Sequence, residues 1–179
     1  MSPTKKITLT SIGIALFVVL TMMFQVPVFE NYYICLGYLV MAVYCYSFGV
    51  ISGTFVGIFG TILYCLIING LRGMPGWVLG NIVICIIAGF TFRYTKNMRN
   101  KFLKYTICII SIVFSTFLGI LVAKSGLESI IYAQPFFIRT ASNIYAFVAD
   151  VVILIFSIPF CEILDKRIKK GVYSNANDS

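Results

Sequence analysis

An all-α integral membrane protein, a bundle of six transmembrane helices with N- and C-termini cytoplasmic, is the architecture this chain implies. Three observations lead there. Apolar residues (Ala, Val, Ile, Leu, Met, Phe, Trp, Tyr, Cys) make up 60% of the 179 and charged residues only 11%, with a mean hydropathy of +0.97. A soluble domain needs far more polar surface than that to cover its exterior. Six apolar stretches approach or reach the length of about 17–25 helical residues that crosses a hydrocarbon core of about 30 Å. The positive residues, finally, are distributed unevenly among the loops, as expected of a chain inserted in one orientation.

The first stretch, Ile7 to Val28, follows Lys5 and Lys6 and ends in no small-x-small cleavage site. It therefore reads as an uncleaved transmembrane helix rather than a signal peptide. The second, Tyr33 to Phe48, is the shortest, and only Ser47 and Gly49 mark it off from the third, Val50 to Asn69. In that third stretch Gly49, Gly53 and Gly57, with Gly60 beyond, follow the spacing that lets helices approach closely, most simply inside the bundle. A glycine- and proline-rich turn, Asn69 to Gly76, leads into the fourth stretch, Trp77 to Phe92; the fifth runs Tyr105 to Ala123. The segment from Lys124 to Arg139 is a long connection in which Gly126 and Pro135 bracket a short interfacial helix. The sixth stretch, Ala141 to Ile163, continues past the membrane as a solvated end in which Glu162 and Lys166, and Asp165 and Lys169, pair at i,i+4. No charged tract or polar linker divides the runs, so residues 1–173 form one membrane domain and 174–179 a polar, disordered tail.

Orientation follows from the basic residues. With a cytoplasmic N-terminus, Lys5, Lys6, Arg93, Lys96, Arg99, Lys101, Lys104, Lys166, Arg167, Lys169 and Lys170 lie inside, and of the 14 only Arg72, Lys124 and Arg139 lie outside. The net charge of +8 then answers to anionic lipids of the inner leaflet and calls for no nucleic-acid partner. The absence of histidine removes histidine-dependent triads and histidine-ligated zinc. Cys35, Cys45, Cys65, Cys85, Cys108 and Cys161 sit in or beside apolar runs without a CxxC pair, so they read as small apolar packers, and no metal or other cofactor is expected.

Polar residues collect on the outer side. Glu30, Asn31, Tyr32 and Tyr33 occupy the first outer loop, Arg72 the second, and Tyr132, Gln134 and Arg139 the third. Trp77 and Asn81 are four apart and share a helix face, while Arg139, Asn143 and Asp150 form one stripe on the sixth helix. Asp150 lies about 10 Å deeper than Asn143. A carboxylate at that depth faces a bundle interior or a wet cavity, which makes it a candidate ligand group; the plainer role is a structural hydrogen bond. Asn81 and Asn143 are equally open to service as interhelical ties, and Trp77 and the tyrosines to service as an interfacial belt.

With these features the chain resembles the substrate-binding S components of energy-coupling factor (ECF) transporters over nearly its whole length. The resemblance rests on Ser11-Ile12-Gly13-Ile14-Ala15, on Asn31-Tyr32-Tyr33-Ile34-Cys35-Leu36-Gly37, on the glycine-rich third stretch and on Gly76-Trp77-Val78-Leu79-Gly80-Asn81. It implies a multi-pass protein of the prokaryotic plasma membrane that captures a water-soluble vitamin with high affinity at its outer side. It also implies partners, a transmembrane T subunit and two cytoplasmic ATPases, and a non-catalytic role for this chain. The family's AxxxA docking motif falls on Ser11 and Ala15, with serine in place of the first alanine. The substrate-binding candidates are then Glu30, Asn31, Tyr32, Tyr33, Arg72, Trp77, Asn81, Tyr132, Gln134, Arg139, Asn143 and Asp150. Asp150 and the aromatic residues favour a pyridoxine-like ring. Pantothenate, held through Arg72 and Arg139, and riboflavin are the alternatives, and Tyr38 stands where riboflavin-type members often carry an acidic residue. An aspartyl membrane enzyme would need a second buried carboxylate facing Asp150. A stand-alone carrier would show matching broken helices in its halves, and a scaffold protein would bind no ligand.

Overall fold

The computed structural model describes residues 3–24, 27–29, 32–33, 35–68 and 70–177, with side chains described over 4–24, 35–68 and 70–168. The elements are α1 (Pro3–Met23), β1 (Pro27–Phe29), β2 (Tyr32–Tyr33), α2 (Gly37–Ser47), α3 (Val50–Ile67), α4 (Met74–Thr95), α5 (Lys101–Thr116), a π-helix (Phe117–Lys124), α6 (Ser125–Ile131) and α7 (Phe136–Asn177). Five helical segments are long and apolar enough to cross a membrane: Thr4–Met23, Val50–Ile67, Met74–Thr95, Lys101–Ile131 and Phe136–Ile168.

Local chemistry accounts for several boundaries. Pro75 opens the first turn of α4, where its missing N–H costs nothing. The Asn100 side chain accepts from the Leu103 N–H (3.3 Å) and so caps α5. Gly49 separates α2 from α3 at φ 101°, a backbone state that a side chain would strain.

The structure departs from the sequence expectation in four places. The first stretch stops as a helix at Met23, and Pro27–Phe29 pairs antiparallel with Tyr32–Tyr33, a short strand pair beside an otherwise helical bundle. The second stretch yields a helix of only 11 residues, about 16 Å long. It is buried on every side, among α1, α3, α4 and α7, which is why its sequence is apolar all round. The third connection holds the expected short helix, α6, but α5 runs through the π-helix into it without a break, leaving only Tyr132 to Pro135 before α7. At the far end of α7, Glu162 and Asp165 also pair with other helices, while the charge of Lys166 acts on Glu162 and the Lys169 side chain lies outside the described residues. Lys96 Nζ meets Asp165 at 2.8 Å and the Tyr46 carbonyl at 3.1 Å. Lys104 Nζ meets Glu162 at 2.5 Å and the Tyr46 hydroxyl at 2.9 Å. The two ammonium groups flank the Tyr46 ring, 5.0 and 5.4 Å from its centroid. Packing of α7 against α5 and α2, with Lys96 at the end of α4 reaching in, brings these charges together, and i,i+4 spacing does not register that.

The glycine row of α3 is internal. A Cβ at Gly53 would overlap Cys45, one at Gly57 would come within 2.8 Å of Met41 Sδ, and one at Gly60 within 2.6 Å of the Phe17 ring. These approaches lock α3 against α2 and α1, and all six cysteines are buried in the resulting interior.

Cross-bundle contacts define two ends. Tyr44 donates to the Leu9 carbonyl (2.7 Å) near the Tyr46 cluster, so the first half of α1 and the later part of α7 share one end. At the other, Thr21 meets Cys35 (3.4 Å), Trp77 meets Tyr38 (2.9 Å) and Asn143 meets Ser125 (3.0 Å).

Candidate substrate-binding site

The second end gathers polar groups in an apolar setting. Tyr38, on the first turn of α2, is fully buried. Its hydroxyl accepts a hydrogen bond from Trp77 Nε1 at 2.9 Å and hydrogen-bonds the buried Asp150 carboxylate of α7. A relay from indole to phenol to carboxylate therefore joins α4, α2 and α7. Tyr64 closes the aromatic wall by meeting Trp77 edge-on, 5.6 Å between centroids at 84°.

The π-helix and α6 complete the surround. The charge of Lys124 reaches Asp150, and its Nζ stands 4.0 Å from Glu128. Glu128 is buried and lies across Gly76, where a Cβ would come within 2.9 Å of Glu128 Cγ and 3.2 Å of Lys124 Cγ. Asn143 Nδ2 donates to Glu128 Oε2 and to Ser125 Oγ, both at 3.0 Å. One ammonium, two carboxylates and a carboxamide thus sit beside Trp77, Tyr64 and Tyr38. Such a lining can hold a planar heteroaromatic ring with polar edges: the rings supply stacking area, and the charged groups supply orientation.

The sequence-predicted residues divide. Trp77, Asn143 and Asp150 come together here. Asn81, one turn along the same face of α4 as Trp77, is tied to α3: its amide donates to Thr61 Oγ1 (2.8 Å) and the Gly57 carbonyl (3.3 Å), while its Oδ1 has no partner. Arg139 packs over the Tyr132 ring, 4.1 Å from guanidinium carbon to centroid, at the rim formed by the α6–α7 turn. Burial, then the charge of Glu128, raises the Tyr132 phenol above its ordinary range, and Arg139 and Arg72 oppose that shift. Arg72 and Gln134 are exposed. Tyr32 and Tyr33 form β2, whose backbone lies against α7, and Glu30 and Asn31 lie outside the described residues.

Sequence reasoning passed over Tyr38, Tyr64, Lys124, Ser125 and Glu128. A signal exists for one pair: Lys124 and Glu128 stand at i,i+4, a helical spacing that reaches back before Gly126, the expected start of the short interfacial helix. Tyr38 carries no such mark, since its partners come from helices 39 and 112 residues further along the chain.

On the docking motif, Ser11 and Ala15 are both exposed, and the Ser11 hydroxyl is satisfied within α1 by the Ile7 carbonyl (3.1 Å). Gly13 between them faces inward, against Tyr44 and Val56. The pair presents a smooth apolar strip outside the bundle and takes no part in its packing.

Comparison with known proteins adds one match. The family model described as "ECF-type riboflavin transporter, S component" matches residues 1–166. No curated protein and no solved structure matches the chain significantly.

Proposed function

The chain belongs to the family of ECF-type riboflavin transporter S components, and from that premise we propose that it captures riboflavin or a close flavin for import. As an S component it is a non-catalytic, substrate-binding transport subunit and a multi-pass protein of the prokaryotic cell membrane. The family match over nearly the whole chain carries the flavin reading, and it moves the preference away from a pyridoxine-like ring. The chemistry at the second end supports it. A three-ring flavin uses the same aromatic and polar groups as a smaller ring but over a larger area, and its hydroxylated side chain suits carboxylate acceptors such as Asp150 and Glu128. Tyr38, which stands where riboflavin-type members often carry an acid, hydrogen-bonds one supplied by α7.

The topology goes with this function. In this reading the five long helices and the short α2 make six crossings. The end that holds the first half of α1 and the later part of α7 is cytoplasmic, because eleven of the 14 basic residues belong to its segments. The pocket then opens outward. The exposed Ser11–Ala15 strip is the docking face for a transmembrane T subunit, and two ATPases energise transport.

Purification from rich medium, followed by mass spectrometry of the extracted small molecule, tests the substrate. A bound flavin with saturable quenching of Trp77 fluorescence is the expected result. Pyridoxine or pantothenate in its place, with no flavin binding, overturns the reading.

A further inference from the structure

The helix that runs from Lys101 to Ile131 is in π register for eight residues, Phe117–Lys124. Well under 1% of residues in globular proteins are in π-helices, mostly as single-turn bulges, so a stretch this long needs contacts that hold it. They come from two neighbours. On the α4 side, Gly119 and Gly80 meet backbone to backbone: a Cβ at Gly119 would lie 2.7 Å from the Gly80 carbonyl oxygen, and one at Gly80 3.0 Å from that of Gly119. On the other side, Ser125 at the start of α6 and Thr140 of α7 each reach a carbonyl of the π turn. Ser125 Oγ donates to the Ile120 carbonyl (3.1 Å), which also accepts the Ser125 N–H. Asn143 donates to that same Ser125 Oγ (3.0 Å), and Thr140 Oγ1 to the Leu121 carbonyl (3.4 Å).

Register decides direction. Successive residues of an α-helix are about 100° apart around its axis, so a register change of one residue carries everything beyond it to a different face. Lys124, Ser125 and Glu128 lie directly at and after the π stretch, and they are the residues turned toward Asp150, Asn143 and Gly76. We propose that Asn143, acting through Ser125, is a positioning residue that holds the π register and thereby aims Lys124 and Glu128 into the substrate pocket. The sequence leaves Asn143 open to a substrate contact or an interhelical tie, and its amide nitrogen is committed to Ser125 and Glu128. The inference rests on the reading of this end as the flavin site.

The test combines amide hydrogen exchange with flavin titration on the full-length protein in detergent, using N143A, S125A, S125T and the double variant N143A/S125A. Without ligand, exchange over residues 117–125 is expected to accelerate in N143A and S125A and to stay close to wild type in S125T, which keeps the hydroxyl. Riboflavin affinity should fall about tenfold in each of the first two variants. The double variant should be no weaker than the weaker single variant, since both remove one linked element. Unchanged exchange in N143A and S125A overturns the proposal, as does accelerated exchange with wild-type affinity, or an additive double variant. If N143A does not fold, S125A against S125T decides the same point, because that pair changes only one hydroxyl. A wild-type protein that binds no flavin defeats the substrate reading instead, and the exchange comparison still decides whether Asn143 and Ser125 hold the register.

Discussion

At Asp150 a carboxyl group is buried in an apolar bundle beside one phenol and one ammonium. A charge at that depth is expensive and persists only where partners or ligand groups compensate it. Asp150→Asn preserves shape and removes the charge. If the carboxylate accepts from the ligand, affinity should fall by a factor corresponding to about 1.5–3 kcal/mol, measured by flavin fluorescence titration; unchanged affinity in folded protein makes Asp150 purely structural. Tyr38→Phe deletes the hydroxyl that joins Trp77 to Asp150 and leaves the buried Asp150 carboxyl and the half-buried Trp77 indole each short of a partner. The expected outcome is a loss of about 1–3 kcal/mol in stability, read as a lower melting midpoint in detergent. A midpoint equal to wild type would mean that water replaces the hydroxyl.

Two helices carry roles that depend on which face they turn outward. On α1, Gly13 is packed inside while Ser11 and Ala15 are exposed, so bulk at the latter pair should leave the bundle intact and hold a partner helix away. With both residues replaced by Leu, flavin affinity of the isolated subunit should stay within about threefold while uptake by the assembled transporter falls to background, because dispersion contacts across the interface are lost. Normal uptake, or loss of binding in step with transport, would refute a docking role. Where α4 crosses the π-helix, the backbone contact of Gly80 and Gly119 leaves no room for a methyl group. Gly80→Ala should therefore cost about 1–3 kcal/mol through overpacking, visible as a lower melting midpoint and weakened flavin binding together, since the same crossing sets the register that aims Lys124.

For the whole molecule the testable quantity is orientation. A reporter inserted after Lys101 and another at the C-terminus should both be cytoplasmic, and one in the turn from Tyr132 to Pro135 external. An external C-terminus would rule out six crossings. The cluster of Lys96, Lys104, Tyr46, Glu162 and Asp165 belongs to the cytoplasmic end in this topology. It leaves Arg93, Arg99, Lys101 and Lys166, which are exposed, to meet the anionic leaflet.

The membrane class, the approximate spans and the family resemblance were all legible in the chain, because apolar length, loop charge and helix-face spacing are properties of contiguous residues. The stripe of Asn143 and Asp150 could be read for the same reason: one helix carries both. What only the tertiary structure decided depends on residues far apart in sequence. Tyr38 joins Trp77 to Asp150 because α2 is enclosed by four helices that bring both to its hydroxyl. Asn81 turns out to be a tie because Thr61 and the Gly57 carbonyl lie opposite it. Glu162 and Asp165 pair across helices because α7 packs on α5 and α2, where Lys104 and Lys96 meet it. The π register of Phe117–Lys124 leaves no mark in the local pattern, since it is held by Gly80 on α4 and by Asn143 and Thr140 on α7, and that register points Lys124 and Glu128 inward.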